Sequence, residues 1–303
     1  MVVKMVGEKG ATFSRPNNLD KAIEQDPNRP KDWNNKAIAL YRLGKYEEAL
    51  ECYDKAIELS WDLPEVWNNK SIVLDHLGRY EEALECCDKA IELNPNHPGA
   101  WNNKGVALDH LGRYEEALGC CDKAIELNPN LPEDWNNKGV VLDHLGRYEA
   151  SIECYDKALD IDPKYTIAWA NKGLALDSLG RYEEAIECLN KAIEQDPKNA
   201  GTWDNKGLAL SKWGRYEEAI KCFDEAIELN PEFIEAWYQK GVALNQTKEY
   251  KNAVGCFDEV TKLNPEHAWA WNNKGLALNH LGRCHEALRC FDKAIELSKQ
   301  RSS

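Results

Sequence analysis

Along residues 98–131, PGAWNNKGVALDHLGRYEEALGCCDKAIELNPNL, two apolar stripes of helical period follow one another. Trp101, Gly105, Leu108 and Leu111 recur at i, i+4, i+7 and i+10, one face of a helix. Gly112 ends that run as a C-cap glycine does. The second stripe holds Ala117, Leu118, Cys121, Ala124, Ile125 and Leu127 and starts near Glu115. It stops at Asn128, because the residue ahead of a proline, here Pro129, is biased out of the α region. Glu115 and Glu116 sit where the dipole of the second helix favours negative charge. The pattern predicts an antiparallel helix pair with its turn at Gly112.

The pair recurs. Tryptophans at 33, 67, 101, 135, 169, 203, 237 and 271 lie 34 residues apart, dividing residues 30–301 into eight repeats with Trp at position 4 of each. Such a period takes precedence over length in setting the architecture. Residues 1–29 form an N-terminal segment in which NNLDKAIEQDPNR (17–29) aligns with the end of a second helix, a degenerate half-repeat; Pro16 stops that helix upstream. Residues 302–303 are a tail.

This arrangement resembles the tetratricopeptide repeat, whose 34-residue unit carries Trp, Gly, Ala and Pro landmarks. In the third repeat these are Trp101, Gly105, Ala117, Ala124 and Pro129, with Gly112 and Tyr114 at the turn. The resemblance covers about nine-tenths of the chain. It implies an all-α fold, an α-solenoid of antiparallel helix pairs in a right-handed superhelix, whose first helices line a concave groove for extended peptides. Departures are local. Lys104 stands where the family has Leu, Leu108 where it has Tyr, and Cys87 and Cys121 replace an aromatic. The seventh repeat departs furthest, with Lys248 for the turn glycine and Val260 for a small residue.

On an ideal helical wheel, positions 4, 8, 11 and 15 share the packing arc, with Gly or Ala at position 8 admitting the partner helix. The opposite arc holds positions 2, 5, 6, 9, 12 and 13; in the third repeat these are Gly99, Asn102, Asn103, Val106, Asp109 and His110. It is polar except at position 9, aliphatic throughout: Ile38, Ile72, Val106, Val140, Leu174, Leu208, Val242 and Leu276. Two readings stay open for that column, contact with a bound segment or packing on the neighbouring first helix. Position 6 is Asn35, Asn69, Asn103, Asn137, Asn171, Asn205, Gln239 and Asn273, an amide every time. An amide both donates and accepts, so a column of them complements a peptide backbone; bonding to a neighbouring repeat's backbone is the alternative. The column is similar to the asparagine ladder in the repeats of O-linked N-acetylglucosamine transferases, without any match to their catalytic domain.

Position 5 varies: Asn34, Asn68, Asn102 and Asn136, then Ala170, Asp204, Tyr238 and Asn272. Positions 12 and 13 are Asp-His at 75–76, 109–110 and 143–144 and change afterwards, so Asp143 and His144 are the last such pair. A variable floor beside a constant ladder suits a selective groove, and equally a drifting solvated face. Almost no lysine or arginine occupies positions 2, 5 and 6 apart from Lys31, which makes acidic C-terminal peptides poor ligands. Lys at position 7 falls at the edge of the core, with a stem to pack and an ammonium to pair.

Chemistry adds mainly exclusions. Position 23 is cysteine in all eight repeats, yet equivalent helices pack about 8–10 Å apart and a disulfide needs Cα atoms within about 6.8 Å. Reduced, buried thiols are expected. No CxxC, HExxH, phosphate loop, nucleophile elbow or dinucleotide fingerprint occurs, so no metal, cofactor or catalytic residue is expected. The 303-residue chain is 43% hydrophobic and 30% charged, with net charge −14 and no basic stripe, which argues against nucleic acid. No apolar run is long enough for a leader or a membrane span, and the cytoplasm is the default location. The expectation is a scaffold binding a protein or peptide in its groove. The alternative is a self-assembling repeat protein or an adaptor of a separate enzyme. A C-terminal end with Leu288, Phe291 and Ile295 and no covering helix is the place for a homo-oligomer contact.

Overall fold

The computed structural model describes residues 23–300. The half-repeat expected over 17–29 lies partly outside that range; residues 23–25 are helical and Ile23 is buried. Position 302–303, the expected tail, also lies outside.

Two compact blocks divide the chain, Met1–Tyr165 and Thr166–Ser303. In the first, the helix pairs are α1 (Pro30–Arg42) with α2 (Tyr46–Leu59), α3 (Pro64–His76) with α4 (Tyr80–Leu93), α5 (Pro98–His110) with α6 (Tyr114–Leu127), and α7 (Pro132–His144) with α8 (Tyr148–Ile161). In the second they are α9 (Thr166–Ser178) with α10 (Tyr182–Gln195), α11 (Ala200–Lys212) with α12 (Tyr216–Leu229), α13 (Ile234–Gln246) with α14 (Tyr250–Leu263), and α15 (Ala268–His280) with α16 (Cys284–Gln300). Within each block every first helix packs on its own second helix, and the second helix on the next first helix. The fold is an all-α solenoid, and no strand occurs among the described residues.

Proline at the first turn, where a missing N–H costs nothing, opens α1, α3, α5 and α7. Elsewhere side chains take the cap. His97 Nδ1 accepts from the Ala100 N–H at 3.0 Å, His267 Nδ1 from Ala270 at 3.0 Å, and Asn199 Oδ1 from Thr202 at 3.2 Å. The turn inside each repeat needs a left-handed residue, and glycine supplies it except in the seventh, where Lys248 has φ 65°.

The core is a small-against-large contact repeated down each block. A Cβ on Gly207 would stand 2.5 Å from the Phe223 ring, and one on Gly139 2.5 Å from Tyr155. In the second repeat both partners are small, Ser71 beside Cys87, and the Ser71 hydroxyl donates to Asn68 O at 2.7 Å. The position-4 tryptophans are half-buried rather than enclosed. Most of these indoles also close the preceding loop. Trp101 Nε1 donates to Pro95 O at 2.8 Å, with matching bonds from Trp33, Trp135, Trp203, Trp237 and Trp271. At its other face sits the position-7 lysine, 5.7 Å from the ring centre for Lys104, which crosses to Asp88 of the preceding repeat at 2.6 Å. Lys70–Asp54, Lys138–Asp122, Lys240–Asp224 and Lys274–Asp258 repeat that pair.

The cysteine column is buried, and no cysteine is in a disulfide; Cys284, in place of the turn tyrosine, is the exposed thiol. Burial pushes Cys86 up to about 12 and Cys154 to about 11, so these thiols stay protonated and act as small apolar side chains.

Candidate functional site

First helices of neighbouring repeats meet along the arc that holds positions 2, 5, 6, 9, 12 and 13. In the first block this seam is closed by paired amides. Asn69 Nδ2 donates to Asn34 Oδ1 at 3.3 Å, Asn103 to Asn68 at 2.9 Å, and Asn137 to Asn102 at 3.0 Å. Each rung thus runs from position 6 of one repeat back to position 5 of the repeat before, an offset of 35 residues. Asn68, Asn69, Asn102, Asn103, Asn136 and Asn137 are buried, and Asn136 Nδ2 also lies 3.5 Å from Asn137 Oδ1. In these three rungs the partner is a side chain of the neighbouring repeat.

A second set of rungs lies two helical turns further on. His144 Nδ1 is 2.7 Å from Asp109 Oδ1, and His110 Nε2 is 3.8 Å from Asp75 Oδ1. In the second block Lys212 takes the same role toward Asp177. The histidine rings lie on the turn tyrosine of the preceding repeat, His110 on Tyr80 at 4.5 Å and His144 on Tyr114 at 5.2 Å. Both histidines keep an exposed edge. In these rungs the Asp reaches the next repeat and the His the one before, rather than each other. Burial raises the carboxyls of Asp75 and Asp143, the first against the opposing effect of His110 and His76, the second against bonds from Ser151 and Tyr155.

Between the two sets of rungs lies position 9. Ile38, Ile72 and Val106 are buried and Val140 is half-buried, so in the first block the aliphatic column packs rather than lining an open floor. In the second block it opens: Leu208 and Val242 are half-buried, Leu174 is 36% exposed and Leu276 44%.

The amide rungs of the second block differ too. Ala170 at position 5 has no acceptor to offer Asn205, and Gln239 makes no bond to Asp204. Neither Asn205 nor Gln239 has a side-chain hydrogen bond within the described residues, and both are half-buried, as are Asn171 and Asn273. Asn273 Nδ2 donates to the Tyr238 hydroxyl at 2.9 Å, so a tyrosine serves as the last rung. Asn35, in the first repeat, is also half-buried.

Two elements of this face were not anticipated from sequence. The turn tyrosines act as shelves for histidines one repeat later, a pairing that spans 30 residues for Tyr80 and His110. A buried carboxyl interrupts the seam as well, Asp204 at 6% exposed; outside the seam, at position 3, Asp134 is 3% exposed, and each has an oxygen lacking a partner. Burial drives Asp134 up to about 7, with Glu133 adding, and Asp204 to about 6, with Glu235 adding. Among the described residues no group of His, Cys, Asp and Glu has the geometry to hold a metal ion, and no helix is long and apolar enough to cross a membrane.

Residues 30–60, 64–97, 98–131, 132–165, 166–199, 202–233 and 268–300 match the Tetratricopeptide repeat family, and 222–254 match a second Tetratricopeptide repeat pattern. The chain belongs to the tetratricopeptide repeat family. The seventh repeat, where Lys248 holds the turn, is the one the first pattern passes over. "Uncharacterized protein MJ0572" of Methanocaldococcus jannaschii is 48% identical over 48 residues, which is 16% of this chain and 56% of that protein. The chain thus spans about half the length of that curated relative. Among solved structures, MamA is similar at 26% identity and TM-score 0.52, covering 54% of this chain and 96% of MamA. A tetratricopeptide repeat protein from Parabacteroides merdae aligns over 86% of this chain and 99% of its own, with TM-score 0.62 and 16% identity, a likeness of fold.

Proposed function

We propose that the chain is a protein-interaction scaffold that holds an extended segment of a partner along its first-helix face. The observation that carries this reading is the unspent bonding capacity of the second block. Asn205 and Gln239, in consecutive repeats, have no side-chain partner among the described residues, and position 9 beside them is partly open. An extended backbone presents alternating donors and acceptors, which amides match without reading side chains, while the aliphatic column takes apolar contacts. In the first block Asn69, Asn103 and Asn137 spend the same groups on rungs, and there the exposed edges of His110 and His144 remain for contact.

The test is capture of short peptides from an array by the full chain. A variant carrying Asn205→Ala and Gln239→Ala is expected to keep its helical circular dichroism and lose capture. Undiminished capture by that variant sinks the assignment of the amides.

A second reading, self-association, has one observation in its favour. On α16, Leu288 is 58% exposed and Ile295 53%, whereas their equivalents Leu118 and Ile125 are half-buried beneath the next first helix. Light scattering across concentration separates the two, since a strict monomer leaves self-association without support.

A further inference from the structure

Position 5 of the sixth repeat carries Asp204 where five of the eight repeats carry asparagine. The first block shows what surrounds that position. The amide of position 6 in the next repeat reaches it, and position 2 of the next repeat stands beside it: a Cβ on Gly99 would lie 3.8 Å from Asn68 Nδ2. In the second block the same register brings Asp204 together with Gln239 and Glu235, and Glu235 is the charge that Asp204 feels.

The result is a carboxyl with its counterpart missing. Asp204 is more than nine-tenths buried, and its Oδ1 has no hydrogen-bond partner. No basic side chain offsets it: the influences on its ionisation are burial and Glu235, both of which disfavour the charge. Two lysines of this repeat are engaged elsewhere, Lys212 with Asp177 and Lys206 over the Trp203 ring at 5.4 Å. A buried ionised group without a partner is costly, and Asn at this position in other repeats avoids that cost. Glu235 stays exposed, so the pair has one inner and one outer carboxyl. On either side stand Asn205 and Gln239, the two amides that the preceding proposal assigns to a bound backbone. Tyr238 follows, fixed by its bonds to Asn273 and its ring contacts with Phe257 and His267.

We propose that Asp204 and Glu235 form a subsite for one cationic side chain, lysine or arginine, of the extended segment held by Asn205 and Gln239. The inference rests on the reading of the first-helix face as a peptide-binding surface and adds the charge that the peptide must bring. Ammonium and guanidinium groups only donate, and the two carboxylates only accept; the amide carbonyls beside them take the remaining N–H groups. A divalent cation is a poorer occupant, because no third His, Cys, Asp or Glu joins the pair in a metal-holding group among the described residues.

The experiment uses the full chain and an array of short peptides of varied sequence, each made with Arg, Gln or Glu at its central position. Preference for the arginine form by about tenfold or more is expected, the span of one charge-assisted bond. Asp204→Asn is expected to erase that preference while the glutamine form binds as before. Should Asp204→Asn fail to fold by circular dichroism, Glu235→Gln on the exposed member asks the same question. Binding indifferent to the central residue, or a preference that survives the substitution, overturns the subsite and leaves the peptide-binding reading standing. Capture of no peptide at all brings down both.

Discussion

At the residue scale, Asp134 is the side chain most at odds with its surroundings. Position 3 is Val66, Ala100, Ala168, Thr202, Ala236 or Ala270 in six other repeats, and a buried carboxyl replaces them here. Its folded pKa, about 7, lies above its ordinary value of 3.8, so the native state holds a proton that the unfolded state has released. Stability therefore falls as pH rises between those values, with the full penalty above about 7. Asp134→Ala is expected to raise the urea midpoint at pH 8 and to change it much less at pH 5. Equal gains at both would refute a protonation origin. Lys248 is the other misfit, an L side chain at φ 65°. Lys248→Gly is expected to stabilise by about 1 kcal/mol, seen as a rise in Tm. Both misfits could be noticed as departures from the repeat, but only Lys248 could be interpreted from sequence. The turn position dictates its backbone, whereas the burial of Asp134 depends on what packs over it.

At the element scale, the helix pair was legible because one period carries both its apolar stripes and its breaks, Gly112 and Pro129 among them. The small residue at position 8 also declared a close helix contact. Gly207→Ala drives a Cβ to 2.5 Å from Phe223 and is expected to cost about 1–3 kcal/mol in chemical denaturation. Gly105→Ala, which meets Cys121 Sγ at 3.1 Å, is expected to cost less. The amide rungs were not legible. A helical wheel assigns Asn102 and Asn103 to one face, but it carries no information on axial phase between neighbouring helices. That phase sets Asn102 opposite Asn137 and buries both. Asn102→Ala is expected to cost about 1–3 kcal/mol, because it removes the acceptor that the buried Asn137 amide uses in this rung. Adding Asn137→Ala is expected to recover part of that loss, a non-additivity that a double-mutant cycle reads directly.

At the scale of the whole molecule, the two blocks treat the same six positions differently. Repeats two to four seal their first helices with Asn-Asn rungs and buried Ile72 and Val106; repeats five to seven lose the rungs at Ala170 and Asp204. Backbone amides of α3 and α5 are accordingly expected to exchange with deuterium more slowly than those of α11 and α13. Comparable protection in all four helices would contradict the contrast. From sequence, the change at position 5 after the fourth repeat was visible as variation; its meaning as broken seam came only with burial and partners.

The 35-residue offset of the rungs has a consequence for how such a chain can be lengthened. Each repeat of the first block carries its donor for the repeat behind and its acceptor for the repeat ahead, so a copied repeat inserted among its peers arrives with both halves of every join. Those repeats are interchangeable parts. The sixth is not: placed ahead of Asn103 or Asn137 it would present a carboxylate to an amide that could still donate to it, while its own Glu-and-Gln neighbours stayed behind. Duplication can therefore extend one stretch of the solenoid freely, whereas the stretch around Asp204 persists only as an intact set of consecutive repeats.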